Sequence, residues 1–271
     1  MTEANTVPET GFFKSDLLKG KKGLVLGVAN KRSIAWGIAQ ALSNHGAQLG
    51  FTYQSDRLKE GVAELAATLN QPSPLYPCDV SKDEEIKTLV EGVGRNFGSL
   101  DFLVHCIAFA KKEDLSGRCV DTSRDGFHLA LDISTYSFIA LVKAAEPLLE
   151  KSCGSVVALT YLGSEKVVPY YNVMGIAKAG LESSIRYLAA DLGKKNIRVN
   201  GISAGPISTL AARGIAKFTD MLEGHRNRAP LGRNVHLHEV ANTAFFLLSP
   251  LASGITGEVI YVDCGYRIMG V

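Results

Sequence analysis

From Lys22 onward, short runs of apolar and β-branched residues alternate with longer segments whose apolar positions recur at helical spacing. Seven runs read as strands: GLVLGV (23–28), AQLGFTY (47–53), SPLYPCDV (73–80), LDFLVHCIA (100–108), GSVVALTY (154–161), IRVNGIS (197–203) and EVIYVD (258–263). Between the first two, 33–44 sets Ile34, Ile38, Ala41 and Leu42 on one helical face, and 83–97 does the same with Ile86, Leu89, Val90 and Val93. No Pro/Ser-rich linker, internal repeat or low-complexity tract interrupts the alternation.

Strands that are apolar nearly throughout, separated by helices, predict a parallel sheet covered on both faces. The fold class is therefore α/β, a single Rossmann-type doubly wound domain with a seven-stranded parallel sheet. Residues 1–16 read as a flexible N-terminal extension and 17–271 as the domain. Ligands of such sheets bind past the carboxyl ends of the strands, so functional residues are expected just after each one. One connection, from Ala204 to about His236, is too long for a plain turn. It is expected to form a substrate-covering loop and helix at about 204–230.

Composition removes several classes of partner. Lys and Arg total 29 against 27 acidic residues, a net charge of +2, so no nucleic-acid partner is expected. The 27 glycines exceed the usual share, in keeping with tight turns where strands feed helices. Cys78, Cys106, Cys119, Cys153 and Cys264 are scattered without a CxxC pair and read as reduced thiols of a cytoplasmic protein. The histidines share no ligand spacing beyond His236-x-His238, which has no carboxylate or cysteine companion of metal type. Surface positions and no metal site are expected for that pair. The first sixteen residues lack a basic start and long apolar run, and no stretch approaches the ~18 apolar residues of a membrane span. A soluble, unprocessed chain is expected.

The first strand runs into G27-V-A-N-K-R-S33-I-A-W-G37, a turn of small residues before a helix whose free N–H groups suit a pyrophosphate. Gly27 lets backbone approach a ligand, and Ser33 can cap the helix and donate to a phosphate oxygen. The same segment also reads as a tight turn with an N-cap serine. At the end of the second strand, where an acidic residue often accepts the adenosine ribose hydroxyls, stands Gln54. A neutral amide can bond that ribose but suits a 2′-phosphate poorly, which favours NADH over NADPH, with Arg57 one turn later as a counter-indication. Asp79 and Val80 end the third strand. Asp79 accepts from an adenine amino group with Val80 on the ring, or it caps the helix starting near Lys82.

The sharpest pattern is Tyr161, Tyr171 and Lys178. Seven residues at about 100° each put Tyr171 and Lys178 on one helix face, about 10.5 Å apart along the axis. The lysine could then reach ribose hydroxyls while the phenol points at a substrate. An exposed lysine and a buried tyrosine on a plain helix would have the same spacing. A short-chain carbonyl reductase needs tyrosine four residues before the lysine, where its phenol can protonate an alkoxide. That position is Met174, and the serine expected at the preceding strand end is replaced by Tyr161. A phenol farther from the lysine can instead bond a carbonyl while hydride goes to a carbon two bonds away. A carbonyl or alcohol oxidoreductase and a non-catalytic nucleotide sensor are the two rival readings.

Six separated motifs, G27-x5-S33-I-A, F51-T-Y-Q, C78-D-V, I107-x-F-A110, Y161-x9-Y171-x6-K178 and S203-A-G-P-I-S-T-L-A-A212, jointly resemble the bacterial NADH-dependent enoyl-acyl carrier protein reductases of the short-chain dehydrogenase/reductase superfamily. The resemblance covers about Leu18 to Gly265. It implies reduction of trans-2-enoyl thioesters on acyl carrier protein, the last reductive step of fatty-acid elongation, by a cytoplasmic homotetramer. It also implies NAD contacts from Gly27, Ser33, Ile34, Gln54, Asp79, Val80, Ile107, Lys178 and the run Ile207, Ser208, Thr209, Leu210 and Ala211. Ala110 is implied near the substrate, and Tyr161 and Tyr171 as the active-site pair. Tyr171 would stabilise an enolate oxygen, while Tyr161 would relay a proton or shape the acyl pocket.

By the same resemblance, Ile207, Ile215, Phe218, Met221 and Leu222 suit an acyl tail, although a static helix would use the same side chains as core. Where related chains carry basic residues for an acidic carrier, this one has Ala216, Thr219 and Asp220. Arg213, Lys217, Arg226 and Arg228 are nearby substitutes, or simply a solvated face.

Overall fold

The structure is a computed structural model describing residues 14–209, 212 and 217–270. Its strands are β1 (Lys22–Leu26), β2 (Gln48–Tyr53), β3 (Leu75–Pro77), β4 (Phe102–His105), β5 (Ser155–Thr160), β6 (Arg198–Ala204) and β7 (Val259–Val262). The helices are α1 (Ile34–Asn44), α2 (Asp56–Ala66), α3 (Asp83–Phe97), α4 (Lys112–Leu115), α5 (Arg124–Leu131), α6 (Ser137–Glu150), α7 (Asn172–Leu192), α8 (Phe218–Arg228) and α9 (Leu237–Leu248). A π-helical turn, Asp132–Tyr136, joins α5 to α6. All seven expected strands are present, six of them shorter than the apolar runs that announced them and β6 of equal length but shifted by one residue.

The sheet is parallel throughout, in the order β3-β2-β1-β4-β5-β6-β7. Alternate residues of each strand enter opposite cores. Val25, Phe51, Val104 and Val157 pack under α1 and α9, whereas Leu24, Leu26, Leu103 and Val156 pack under α3, α6 and α7. A strand buried on both faces has no polar side to alternate, hence the near-continuous apolar runs. β1 pairs with β2 on one side and β4 on the other, so the direction in which successive strands are added reverses there and a crevice opens beyond the carboxyl ends of β1 and β4. No helix among the described residues is long and apolar enough to cross a membrane.

Candidate active site

Residues just past β1, β4, β5 and β6, the start of α1 and α7, and part of α8 line one cavity of about 570 Å³. Gly27 closes its floor at φ +94°, and a Cβ there would stand 2.2 Å from the Cys106 carbonyl oxygen. Only glycine meets both conditions. Next to it the chain turns into α1. Asn30 Oδ1 accepts from the Arg32 amide, and the Asn30 carbonyl accepts from both the amide and the hydroxyl of Ser33. Ser33 is therefore the N-cap by backbone, but its hydroxyl is drawn back toward Asn30 and does not cap the helix, contrary to the sequence-based expectation. The first turn of α1 contains no acidic residue. Its open N–H groups and positive dipole end suit an anion at the cavity wall formed by Ser33, Ile34 and Ala35.

Gln54 and Asp79 lie outside the cavity lining, past the ends of β2 and β3. Asp79 Oδ1 accepts from the amide and hydroxyl of Ser81, while Lys82 is the N-cap of α3. Asp79 thus closes a turn before the helix and does not cap it. Partial burial alone would raise the Asp79 pKa, but bonds from Ser81 and Gln54, with the nearby Lys82, hold it below the usual carboxylate range. The two residues proposed for the adenosine end therefore meet, with buried Val80 beside them. Ile107, Ala110, Ile207 and Thr209 line the cavity, Ser208 is exposed next to them, and Leu210 and Ala211 lie outside the described residues. Of the acyl-tail candidates, Phe218 and Met221 line the cavity, Leu222 does not, and Ile215 is outside the described residues.

Tyr161, Tyr171 and Lys178 converge on this cavity. Tyr171 is not inside the helix as the spacing argument assumed. It is the N-cap of α7, flanked by Tyr170 and Asn172 at φ 64° and 36°, and this left-handed pair breaks the helical path. Its ring packs against Gly163, where a Cβ would come within 2.5 Å, and meets the Tyr161 ring edge-on at 5.0 Å. The Tyr161 hydroxyl donates to Met221 Sδ at 3.4 Å, toward α8. Burial, with Tyr266 nearby, pushes the Tyr161 phenol up to about 12. Burial, with Tyr161 and Glu182 nearby, raises Tyr171 as well. Both phenols are neutral O–H donors near neutrality.

Lys178 is 5% exposed, and its Nζ donates to the Leu159 carbonyl at 2.7 Å. Burial pulls its pKa down to about 8, against the opposing pull of Cys106 and Glu182. The Cys106 thiol is pushed up to about 12 by burial, so it is no nucleophile here. Its neighbour His105 is fully buried, and burial with the nearby Lys178 drives it down to about 3. Ser137 Oγ donates to the Ile133 carbonyl, which leaves its lone pair to accept from His105 Nε2 at 2.9 Å. His45 and His225 are also buried, whereas His236 is exposed and stacks on a half-buried His238.

Several contributors carry no sequence motif. In the π-helical turn, Ser134 Oγ accepts from the Phe109 amide and lies 3.1 Å from the Phe109 carbonyl, while Thr135 Oγ1 donates to the Ala177 carbonyl. One turn of helix thereby braces both the loop bearing Ala110 and the residue before Lys178. Such insertions recur at functional sites, but nothing in a single sequence marks them. Glu182 did have a legible signal, since it lies four residues after Lys178 on the same helical face.

The cavity suits a nicotinamide dinucleotide: an uncapped helix start and a Cβ-free approach at one end, a buried lysine and two neutral phenols at the other. Residues 27–267 match the family model described as "Enoyl-(Acyl carrier protein) reductase". The NADH-type enoyl-[acyl-carrier-protein] reductase of Bacillus subtilis is 54% identical over 252 residues, covering 93% of this chain and 97% of that protein. The Bacillus cereus enoyl-acyl carrier protein reductase, solved with NADP+ and an indole naphthyridinone, superposes with a TM-score of 0.93 at 52% identity, over 94% of this chain and 100% of that one. The Anaplasma phagocytophilum reductase, solved with NAD, gives 0.92 at 47% identity, over 96% and 99% of the two chains.

Proposed function

The chain belongs to the enoyl-(acyl carrier protein) reductase family, and from that premise we propose how its own residues carry out the family's reaction. It is an oxidoreductase that reduces trans-2-enoyl thioesters on acyl carrier protein to saturated thioesters with NADH, the last reductive step of fatty-acid elongation. Residues 17–271 act as one catalytic unit, with about 204–230 covering the substrate.

The observation that carries the residue roles is the neutral, buried Tyr171 phenol in the same cavity as Lys178. Bound NADH supplies the hydride that reaches the β-carbon of the enoyl thioester. Negative charge then collects on the thioester oxygen, Tyr171 donates a hydrogen bond to it, and the enolate takes a proton from solvent at its α-carbon to give the saturated thioester. With its pKa raised, Tyr171 works as a fixed donor that keeps its proton. Lys178 holds the nicotinamide ribose, and its charge favours the enolate. Tyr161, with its hydroxyl turned to Met221, shapes the acyl pocket. Gly27, Ser33, Ile34 and Thr209 take the pyrophosphate, Gln54, Asp79 and Val80 the adenosine end, and Ile107 and Ile207 the nicotinamide side, with Ser208, Leu210 and Ala211 completing the run that contacts NAD. Ala110 faces the substrate.

The five free cysteines support a cytoplasmic setting. Exposed Tyr136, Ile176 and Tyr187, on the π-helical turn and α7, support assembly into a homotetramer. Light scattering should return the mass of four chains, and a monomer mass would end that part of the reading.

The test is the loss of NADH absorbance on adding a 2-enoyl thioester, with NADPH in parallel, for wild type, Tyr171→Phe and Lys178→Ala. Turnover with NADH is expected, and the loss of one oxyanion donor in Tyr171→Phe should cost about two to three decades in rate. Reduction of a 3-oxoacyl thioester instead would revive the carbonyl-reductase reading.

A further inference from the structure

One buried carboxylate has no part in the roles above. Glu182, on α7 one turn beyond Lys178, is 6% exposed. Its Oε1 accepts from Thr160 Oγ1 and from Ser164 Oγ, each at 2.6 Å. Thr160 ends β5, between Leu159, whose carbonyl holds Lys178, and Tyr161. Ser164 ends the single turn Leu162–Ser164, whose Gly163 abuts the Tyr171 ring. The segments bearing all three proposed active-site side chains are thus tied to one carboxylate.

A carboxylate out of water is costly unless it is bonded and faces a cation. The two hydroxyl bonds are short, as charge-assisted bonds are. Lys178, the only buried lysine or arginine among the described residues, stands one turn earlier on the same face of α7 and interacts with Glu182 through space. Other groups packed here do not replace it. Tyr261 of β7 and Tyr171 face Glu182 as neutral phenols. Arg267 lies over the Tyr261 ring and pairs with Glu165 at 3.5 Å. His105 and Cys106, on the strand side of Lys178, are neutral.

We propose that Glu182 is a positioning residue of the reduction: through Thr160 and Ser164 it sets the Tyr161–Tyr171 pair, and its charge keeps Lys178 an ammonium within an apolar wall. The inference rests on the roles assigned above to Tyr171 and Lys178. Burial alone drives Lys178 toward its neutral form, and Glu182 opposes that drift. Neutralising the carboxylate should therefore move the lysine's titration to still lower pH.

The experiment compares Glu182→Gln, which keeps size and an acceptor oxygen, with Ser164→Ala, which removes one bond and keeps the charge. For Glu182→Gln, kcat should fall about tenfold, and the alkaline limbs of kcat/KM and of NADH binding followed by fluorescence should both move down by about one pH unit. For Ser164→Ala, kcat should fall a few-fold with both limbs in place. Wild-type kcat with unmoved limbs in Glu182→Gln overturns the proposal. So does a loss of melting temperature and kcat together with unmoved limbs, because that is scaffolding alone. If Glu182→Gln yields no soluble protein, Thr160→Val beside Ser164→Ala decides. Slower turnover in both sustains the positioning role, and wild-type turnover in both removes it. Tyr171→Phe run alongside separates the two levels, since unchanged turnover in that variant indicts the site assignment and not Glu182.

Discussion

On one side of the cavity, the end of β5 and the start of α7 are pinned by buried and half-buried bonds: Lys178 to the Leu159 carbonyl, Thr160 and Ser164 to Glu182, and Thr135 to the Ala177 carbonyl. On the other side, α8 reaches the cavity with Phe218 and Met221, and the ties across among the described residues are loose, a hydroxyl–sulfur contact from Tyr161 to Met221 and the Lys217 ammonium 5.7 Å over the Tyr170 ring. The far end of α8 is anchored by buried His225, stacked on Tyr266 and bonded to Asn234. The first wall has the placement a developing oxyanion requires, where small displacements cost rate. The second has the adaptable apolar surface that acyl chains of varied shape require, and methionine is suited to it.

The greatest loss should come from disturbing the rigid wall without touching a reacting group. Gly163→Ala drives a methyl into the Tyr171 ring, and kcat should drop by about 10²-fold while NADH binding is retained, as fluorescence titration can establish. A change of pH acts on the same wall. Lys178 titrates at about 8, below the ordinary lysine value, so its ammonium is complete at lower pH and is lost as pH rises through that point. The log of kcat/KM should accordingly bend downward near pH 8, approaching about tenfold per unit beyond it. On the adaptable wall, Met221→Ala should raise KM for a long-chain enoyl thioester about tenfold and leave kcat within about twofold. A kcat loss as large as that of Gly163→Ala would erase the distinction between the walls. The smallest effect belongs to the outer rim of α8, where Arg226 and Arg228 are exposed. Reversing both charges should raise KM a few-fold for carrier-bound substrate and not for the coenzyme A ester. Equal change with both substrates would remove docking from this face.

The two walls also differed in how much of them could be read from the sequence. All seven strands were legible because residues such as Leu24 and Val25 are buried on opposite faces of one sheet, which leaves apolar runs no loop would carry. Gly27, Lys178 and both tyrosines were legible as positions after strands or as a helical spacing. Their local geometry was not. Helical spacing could not foresee that Tyr170 and Asn172 adopt left-handed backbone and leave Tyr171 at the N-cap. Nor could a capping rule foresee that the Asn30 carbonyl captures the Ser33 hydroxyl. The bracing by Ser134 depends on an extra residue in a helical turn, a long-range packing outcome with no local code. Glu182 was legible in principle, as an acid one turn from a lysine, but its significance depends on burial, which appears only once β5 and α7 are packed together.

In the proposed reaction, a neutral phenol at residue 171 stabilises charge on the thioester oxygen as hydride arrives. Single-turnover oxidation of prebound NADH by a trans-2-enoyl thioester, comparing wild type with Tyr171→Phe, tests it most directly. Hydride transfer in the variant should be slower by about two to three decades, with the dissociation constants of NADH and thioester nearly unchanged. A Tyr171→Phe variant that transfers hydride at the wild-type rate, or one whose defect lies wholly in binding, would contradict it.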